Sequence, residues 1–109
     1  MFATHRLLRS CRITLFTREN CSLCEAAAEA LSKVAATRPF AYKRIDLAGE
    51  EGRPWRQLYD YDVPVIHISK DTASPENVSI ASKATKLMHR FTPSQIEAKM
   101  DEVEKANDH

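Results

Sequence analysis

Two cysteines three positions apart, Cys21 and Cys24 in the run Asn20-Cys21-Ser22-Leu23-Cys24-Glu25, stand where the chain's hydrophobic period changes. Before them, residues 12–17 read RITLFT. Ile13, Leu15 and Thr17 alternate with Arg12, Thr14 and Phe16, and β-branched and aromatic types dominate, which predicts a strand. After them, Cys24, Ala27, Ala28, Leu31, Val34 and Ala35 recur at helical spacing. Ser22, with Glu25 three residues on, fits a capping box, and Pro39 stops any continuation. A C-x-x-C that follows a strand and opens a helix fixes both the local fold and a chemistry, because it reads as a redox motif.

The remaining elements follow in order. Residues 40–47, FAYKRIDL, predict a second strand, so strand, helix and strand form a unit with a right-handed crossover and parallel strands. Gly49 to Gly52 is a break, and Pro54 to Tyr59 predicts a short helix. Residues 63–69, VPVIHIS, predict a third strand with proline as its second residue. Residues 69–85 lack clear periodicity, and so long a loop in a compact domain is usually functional or disordered. Residues 86–91, KLMHRF, predict a fourth strand. Thr92-Pro93-Ser94-Gln95 starts the last helix: Thr92 caps, Pro93 suits the first helical position, and Gln95 completes a capping box. Ile96, Met100 and Val103 form its inward face. The order is β-α-β-α-β-β-α. With no helix between them, the last two strands are antiparallel, which gives an α/β fold with a four-stranded mixed sheet and helices on its faces.

The 109 residues suit one domain, divided here as a basic tail over residues 1–11, the folded domain over 12–105 and a polar tail over 106–109. Sixteen Lys and Arg oppose fifteen Asp and Glu. That balance leaves no net field to draw nucleic acid or a membrane, and the chain is read as a monomer. No apolar run approaches the roughly 20 residues that span a bilayer. Residues 1–11 hold His5, Arg6 and Arg9 and no acid. They are read as a short tail of a cytoplasmic protein, with the start of a mitochondrial presequence as the alternative. Three cysteines are too few for a disulfide framework. In a reducing compartment a close pair is more often catalytic or metal-binding than structural, and the sequon Asn77-Val78-Ser79 is silent there.

The chemistry of the pair follows from its place. The thiolate is the nucleophile, and a free cysteine of pKa near 8.5 is only about 3% thiolate at pH 7. Unpaired N–H groups and the macrodipole at a helix start favour a negative charge by roughly 0.3–1 kcal/mol, sometimes about 2. Arg18 adds a favourable charge, while Glu19 and Glu25 oppose it. Cys21, at the first turn, is therefore the attacking sulfur. Cys24, one turn on and on the buried stripe, is the resolving thiol that closes the disulfide. Zinc sites also use C-x-x-C but need two further ligands. Cys11, His5, His67, His89 and His109 supply no pair at ligand spacing, so no metal site is assigned.

The chain resembles the glutaredoxin-like branch of the thioredoxin superfamily. The residues that carry the likeness are Ile13 to Cys24, Val63-Pro64-Val65-Ile66 and Arg90-Phe91, over roughly residues 12 to 103. It is most similar to the small fungal and eukaryotic glutaredoxin-like proteins. The resemblance implies a thioredoxin fold and a thiol–disulfide oxidoreductase acting on protein disulfides or glutathione mixed disulfides. No resident cofactor is implied, and glutathione would be a co-substrate. It also implies that the Val63–Pro64 bond is cis and faces the cysteines, that Val63 holds the substrate main chain, and that Arg18 binds a glutathione carboxylate. Two departures stand out. The family's usual Cys-Pro-Tyr-Cys is Cys21-Ser22-Leu23-Cys24 here. The Gly-Gly turn and acidic cap that hold the γ-glutamyl end are replaced by Arg90-Phe91-Thr92-Pro93. Weak use of glutathione follows.

Two other classes of function remain open on sequence: a module bridging an iron–sulfur cluster, as related glutaredoxins do, and a non-catalytic adaptor working through the loop of residues 69–85. His67 and His89 are read as sheet residues rather than proton shuttles. Trp55, Tyr59 and Tyr61 are read as a cap on the core, with a peptide groove as the alternative.

Overall fold

The computed structural model describes residues 11–106. Its sheet has the order β2-β1-β3-β4, with β1 (Cys11–Thr17) and β3 (Val65–Lys70) in the middle and β2 (Ala41–Asp46) and β4 (Thr85–Met88) at the edges. β1 runs parallel to β2, as the crossover through α1 (Ser22–Thr37) requires. β1 and β3 are antiparallel, and so are β3 and β4. A short helix α2 (Arg56–Tyr59) precedes β3, and α3 (Pro93–Lys105) ends the described chain. This is the mixed sheet and element order that the sequence predicts. Cys11, assigned to the basic tail, is instead the first residue of β1 and fully buried. The rest of that tail and residues 107–109 lie outside the described residues.

Alternation along the strands divides the core in two. On one face Ile13 and Leu15 of β1 and Ile66 and Ile68 of β3 pack against Ala27, Leu31 and Val34 of α1 and Ile96, Met100 and Val103 of α3. On the other, Phe16, Ile45 and Val65 meet Trp55, Tyr59 and Ala81. Each buried aliphatic or aromatic side chain contributes about 1.5–3 kcal/mol relative to exposure. The α1 stripe is shorter than its periodicity suggests: Ala30 is buried, Ala28 is half-buried and Ala35 is exposed. The α3 start matches its sequence. Thr92 Oγ1 accepts the Gln95 N–H at 3.2 Å, and Gln95 Oε1 accepts the Thr92 N–H at 2.9 Å.

Gly52 lets the chain fold back on β2. A Cβ there would stand 2.3 Å from the Asp46 carbonyl oxygen and 2.5 Å from Leu47 Cα. The long segment after β3 is fastened rather than loose. The Arg12 guanidinium donates to the carbonyls of Ala73 at 3.0 Å and Ser74 at 2.8 Å, and pairs with Glu76 at 2.9 Å. A 3₁₀ turn (Val78–Lys83) follows, capped by the Asn77 side chain, which accepts the Ser79 N–H at 2.9 Å.

Candidate functional site

β1 ends at Thr17, and Asn20, with a left-handed φ of 56°, turns the chain into α1. Asparagine visits that region at lower cost than most residues. Cys21 is the N-cap, extended at φ −127° and ψ 105°, and its sulfur accepts the Cys24 N–H at 3.1 Å. The capping box expected of Ser22 and Glu25 is therefore not the one formed: Ser22 is already helical, and a sulfur does the capping. Cys21 and Cys24 are joined as a disulfide, with Cα atoms 5.2 Å apart, inside the usual range of 4.4–6.8 Å. Cys21 is half-buried, while Cys24 is 3% exposed.

The Val63–Pro64 peptide bond is cis. Both residues precede β3, which starts at Val65 rather than Val63 because proline has no N–H to give the ladder. Phe16 pairs with Val65, so Val63 and Pro64 lie at the sheet end from which the chain runs to Cys21. The His89 N–H donates to the Pro64 carbonyl at 2.7 Å. β4 has ended at Met88, and His89 has a left-handed φ of 68°. The expected strand of residues 86–91, with His89 in its alternation, thus starts one residue late and runs three residues past the true end of β4 (Thr85–Met88).

Arg18 does reach the site, but its guanidinium is already paired with the Asp60 carboxylate. Asp62, two residues on, pairs with His89 at 3.2 Å. The Asp60–Asp62 segment is thereby tied to the loops on both sides of the dithiol. Tyr61 between them is 96% exposed, while Trp55 and Tyr59 are 4% exposed and belong to the core. The expected aromatic trio is therefore a pair. Two cavities flank the first turn of α1. One, of about 340 Å³, is lined by Thr17, Arg18, Glu19, Cys24, Glu25 and Arg44 among others. The other, of about 270 Å³, is lined by Leu23, Ala27, His89, Arg90, Thr92 and Gln95 among others.

His67 is on the opposite face of the sheet from α1, packed on Phe16 and Trp55. Its Nε2 lies 2.6 Å from Tyr59 Oη and its Nδ1 lies 2.8 Å from Glu76. Burial tends to raise the Glu76 carboxyl, but the hydrogen bonds from His67 and Arg12 outweigh it and hold the group below its ordinary range. Burial, with the nearby charges of Glu76 and Asp62, pushes the Tyr59 phenol up to about 12. Neither Glu76 nor Asp60 carried a sequence signal, since their partners lie far off along the chain. Among the described residues no three His, Cys, Asp or Glu side chains are grouped to hold a metal, and no described helix is long and apolar enough to cross a membrane.

Solved structures share this architecture. A structural-genomics target protein from X. campestris is 23% identical, with a TM-score of 0.58 over 83% of this chain and 96% of its own. A protein from Nitrosomonas europaea is 21% identical, with a TM-score of 0.57 over 84% and 91%. Thioredoxin 1 from Thermosipho africanus is 17% identical, with a TM-score of 0.57 over 84% and 91%. At these identities the likeness is one of fold. The sequence itself matches the family described as glutaredoxin-like domain (DUF836) over residues 12–101, from β1 into α3. A strand, a cysteine-capped helix bearing a disulfide-forming pair, and a cis-proline ahead of β3 are thus set in a family frame, and the chain belongs to the glutaredoxin-like family of the thioredoxin superfamily.

Proposed function

We propose that the protein is a thiol–disulfide oxidoreductase in which Cys21 attacks and Cys24 resolves. The observation that carries this is the cap: the Cys21 sulfur accepts the Cys24 N–H at 3.1 Å at the head of a helix of 16 residues. A hydrogen bond to the charged form favours it, and the macrodipole acts in the same sense. In the reduced protein the Cys21 thiolate attacks one sulfur of a substrate disulfide and expels the other as a thiolate, which takes a proton from solvent. Cys24, deprotonated in turn, attacks the Cys21 sulfur and releases the second substrate thiol. Two electrons pass to the substrate, and the protein is left with the Cys21–Cys24 disulfide. An external thiol returns the electrons.

In this reading Val63 offers its backbone to a substrate main chain; its position beside Pro64, ahead of β3 at the sheet end nearest Cys21, supports this. Glutathione is a poor co-substrate in this reading. Arg18 already holds a carboxylate. In Arg90-Phe91-Thr92-Pro93, which replaces the Gly-Gly turn, the Thr92 N–H is engaged and Pro93 has none, and the N–H of His89 just before it is engaged as well. The test is reduction of insulin by wild type, Cys21→Ser and Cys24→Ser with a dithiol donor. Cys21→Ser is expected to be inactive and Cys24→Ser to accumulate mixed disulfides. Full activity in Cys21→Ser would refute the assignment.

A further inference from the structure

We infer that Asp60 sets the charge selectivity of the dithiol, turning it toward cationic disulfides and away from anionic ones. The inference rests on the oxidoreductase reading above. Arg18 is three residues before Cys21 and shares a cavity with Cys24. Left alone, it would attract an anionic disulfide and stabilise the attacking thiolate. Its guanidinium is instead paired with Asp60, and both side chains keep about a third of their surface in water, at 35% and 33%. The pair is therefore open to approaching charges while carrying no net charge itself.

The other groups around the first turn of α1 do not restore a positive field. Glu19 and Glu25 face Arg44 in the same cavity. On the other side Arg90 and His89 line the second cavity, and Asp62 pairs with that His89. Four carboxylates, those of Asp60, Glu19, Glu25 and Asp62, stand against the three guanidinium groups of Arg18, Arg44 and Arg90 around the pair. Remove the charge of Asp60 and the balance becomes even. Remove that of Arg18 and the excess of acid deepens. The two changes act in opposite directions, which a mere disturbance of the loop would not produce.

The probes are three small disulfides of similar reach: cystamine, a dication; hydroxyethyl disulfide, neutral; and dithiodiglycolate, a dianion. Wild type is expected to reduce cystamine faster than dithiodiglycolate. Asp60→Asn should shift the ratio of their kcat/KM toward the anion by about 5-fold at low ionic strength, and Arg18→Gln should shift it toward the cation. Both shifts should shrink with added salt, since exposed charges are screened. A second readout needs no enzymatic turnover. In the reduced protein the rate of Cys21 alkylation by anionic iodoacetate, divided by that by neutral iodoacetamide, should rise about 2-fold in Asp60→Asn. A ratio that does not move in Asp60→Asn, or moves the same way in both variants, overturns the inference. If no disulfide is reduced by wild type but the alkylation ratio shifts as stated, the oxidoreductase reading falls while the charge assignment to Asp60 stands.

Discussion

Tyr59 Oη and His67 Nε2 meet at 2.6 Å on the sheet face turned away from α1. Glu76, held ionised, can only accept, so His67 Nδ1 donates to it at 2.8 Å and the ring links that carboxylate to the Tyr59 hydroxyl. Tyr59→Phe leaves the buried Nε2 of His67 unpaired and is expected to cost about 1–3 kcal/mol, measured by urea unfolding, with insulin reduction unchanged. The raised phenol pKa adds an alkaline signature. The folded value of about 12 lies above the ordinary 10.0. Stability is therefore complete below about pH 10 and falls between about 10 and 12 as the unfolded chain ionises first. Tyr59→Phe should lessen that fall, leaving the part due to Tyr42, whose phenol burial also raises. Lost activity at full stability would show that the network serves the dithiol.

Acid acts on Glu76 in the opposite sense. Its folded pKa lies below the ordinary 4.5, so the unfolded chain takes up the proton first. Its contribution is complete above about pH 5 and is lost as pH falls through the folded value. Unfolding midpoints in urea from pH 7 down to pH 3 should drop less steeply in Glu76→Gln than in wild type. Parallel curves would mean that the contact with His67 and Arg12 adds nothing to the acid response.

Gly52→Ala should destabilise the fold by about 1–3 kcal/mol, because backbone rather than a movable side chain stands in the way of the new methyl. Gly49→Ala is the control. Its Cβ would meet only the Asp46 carbonyl at 3.4 Å, an ordinary contact, and its thermal midpoint should hold or rise slightly. Equal losses in the two variants would show that the fold-back at Gly52 is not the cause.

For glutathione, the measurement is steady-state turnover of a glutathionylated substrate with glutathione as reductant. The engaged or missing N–H groups at His89, Thr92 and Pro93 and the occupied Arg18 predict rates at least tenfold below those of a dithiol glutaredoxin. Each lost hydrogen bond to a charged group costs roughly 1.5–3 kcal/mol. Comparable rates would mean that other groups supply the contacts.

Much of this was legible because it is local. RITLFT alternates with β-branched residues, the alanines and Leu31 of α1 keep the helical period, and Thr92-Pro93-Ser94-Gln95 declares a helix start within four residues. The features that escaped are contacts between distant segments. Asp60 reaches back 42 positions to Arg18, and Glu76 reaches 64 to Arg12. No periodicity encodes such pairs. The strand ends were misplaced for a related reason. Apolar alternation continues through Val63 and Phe91, but Pro64 cannot join the ladder and His89 turns left-handed at the end of β4. The cap at Cys21 was obscured by Ser22, a better capping residue by type but one position too late.

That cap ties the mechanical integrity of α1 to the redox state of its cysteine pair. In the reduced protein the Cys21 sulfur would be a full anion facing the helix head, a stronger acceptor for the Cys24 N–H than a disulfide sulfur. Any extra steadiness this lends the first turn belongs to the dithiol form alone. A form that is steadied is harder to oxidise, so the same interaction raises the reduction potential, by about 30 mV for each 1.4 kcal/mol. The difference in unfolding free energy between the reduced and oxidised chains would therefore report, by linkage, part of the voltage at which the protein gives up its electrons.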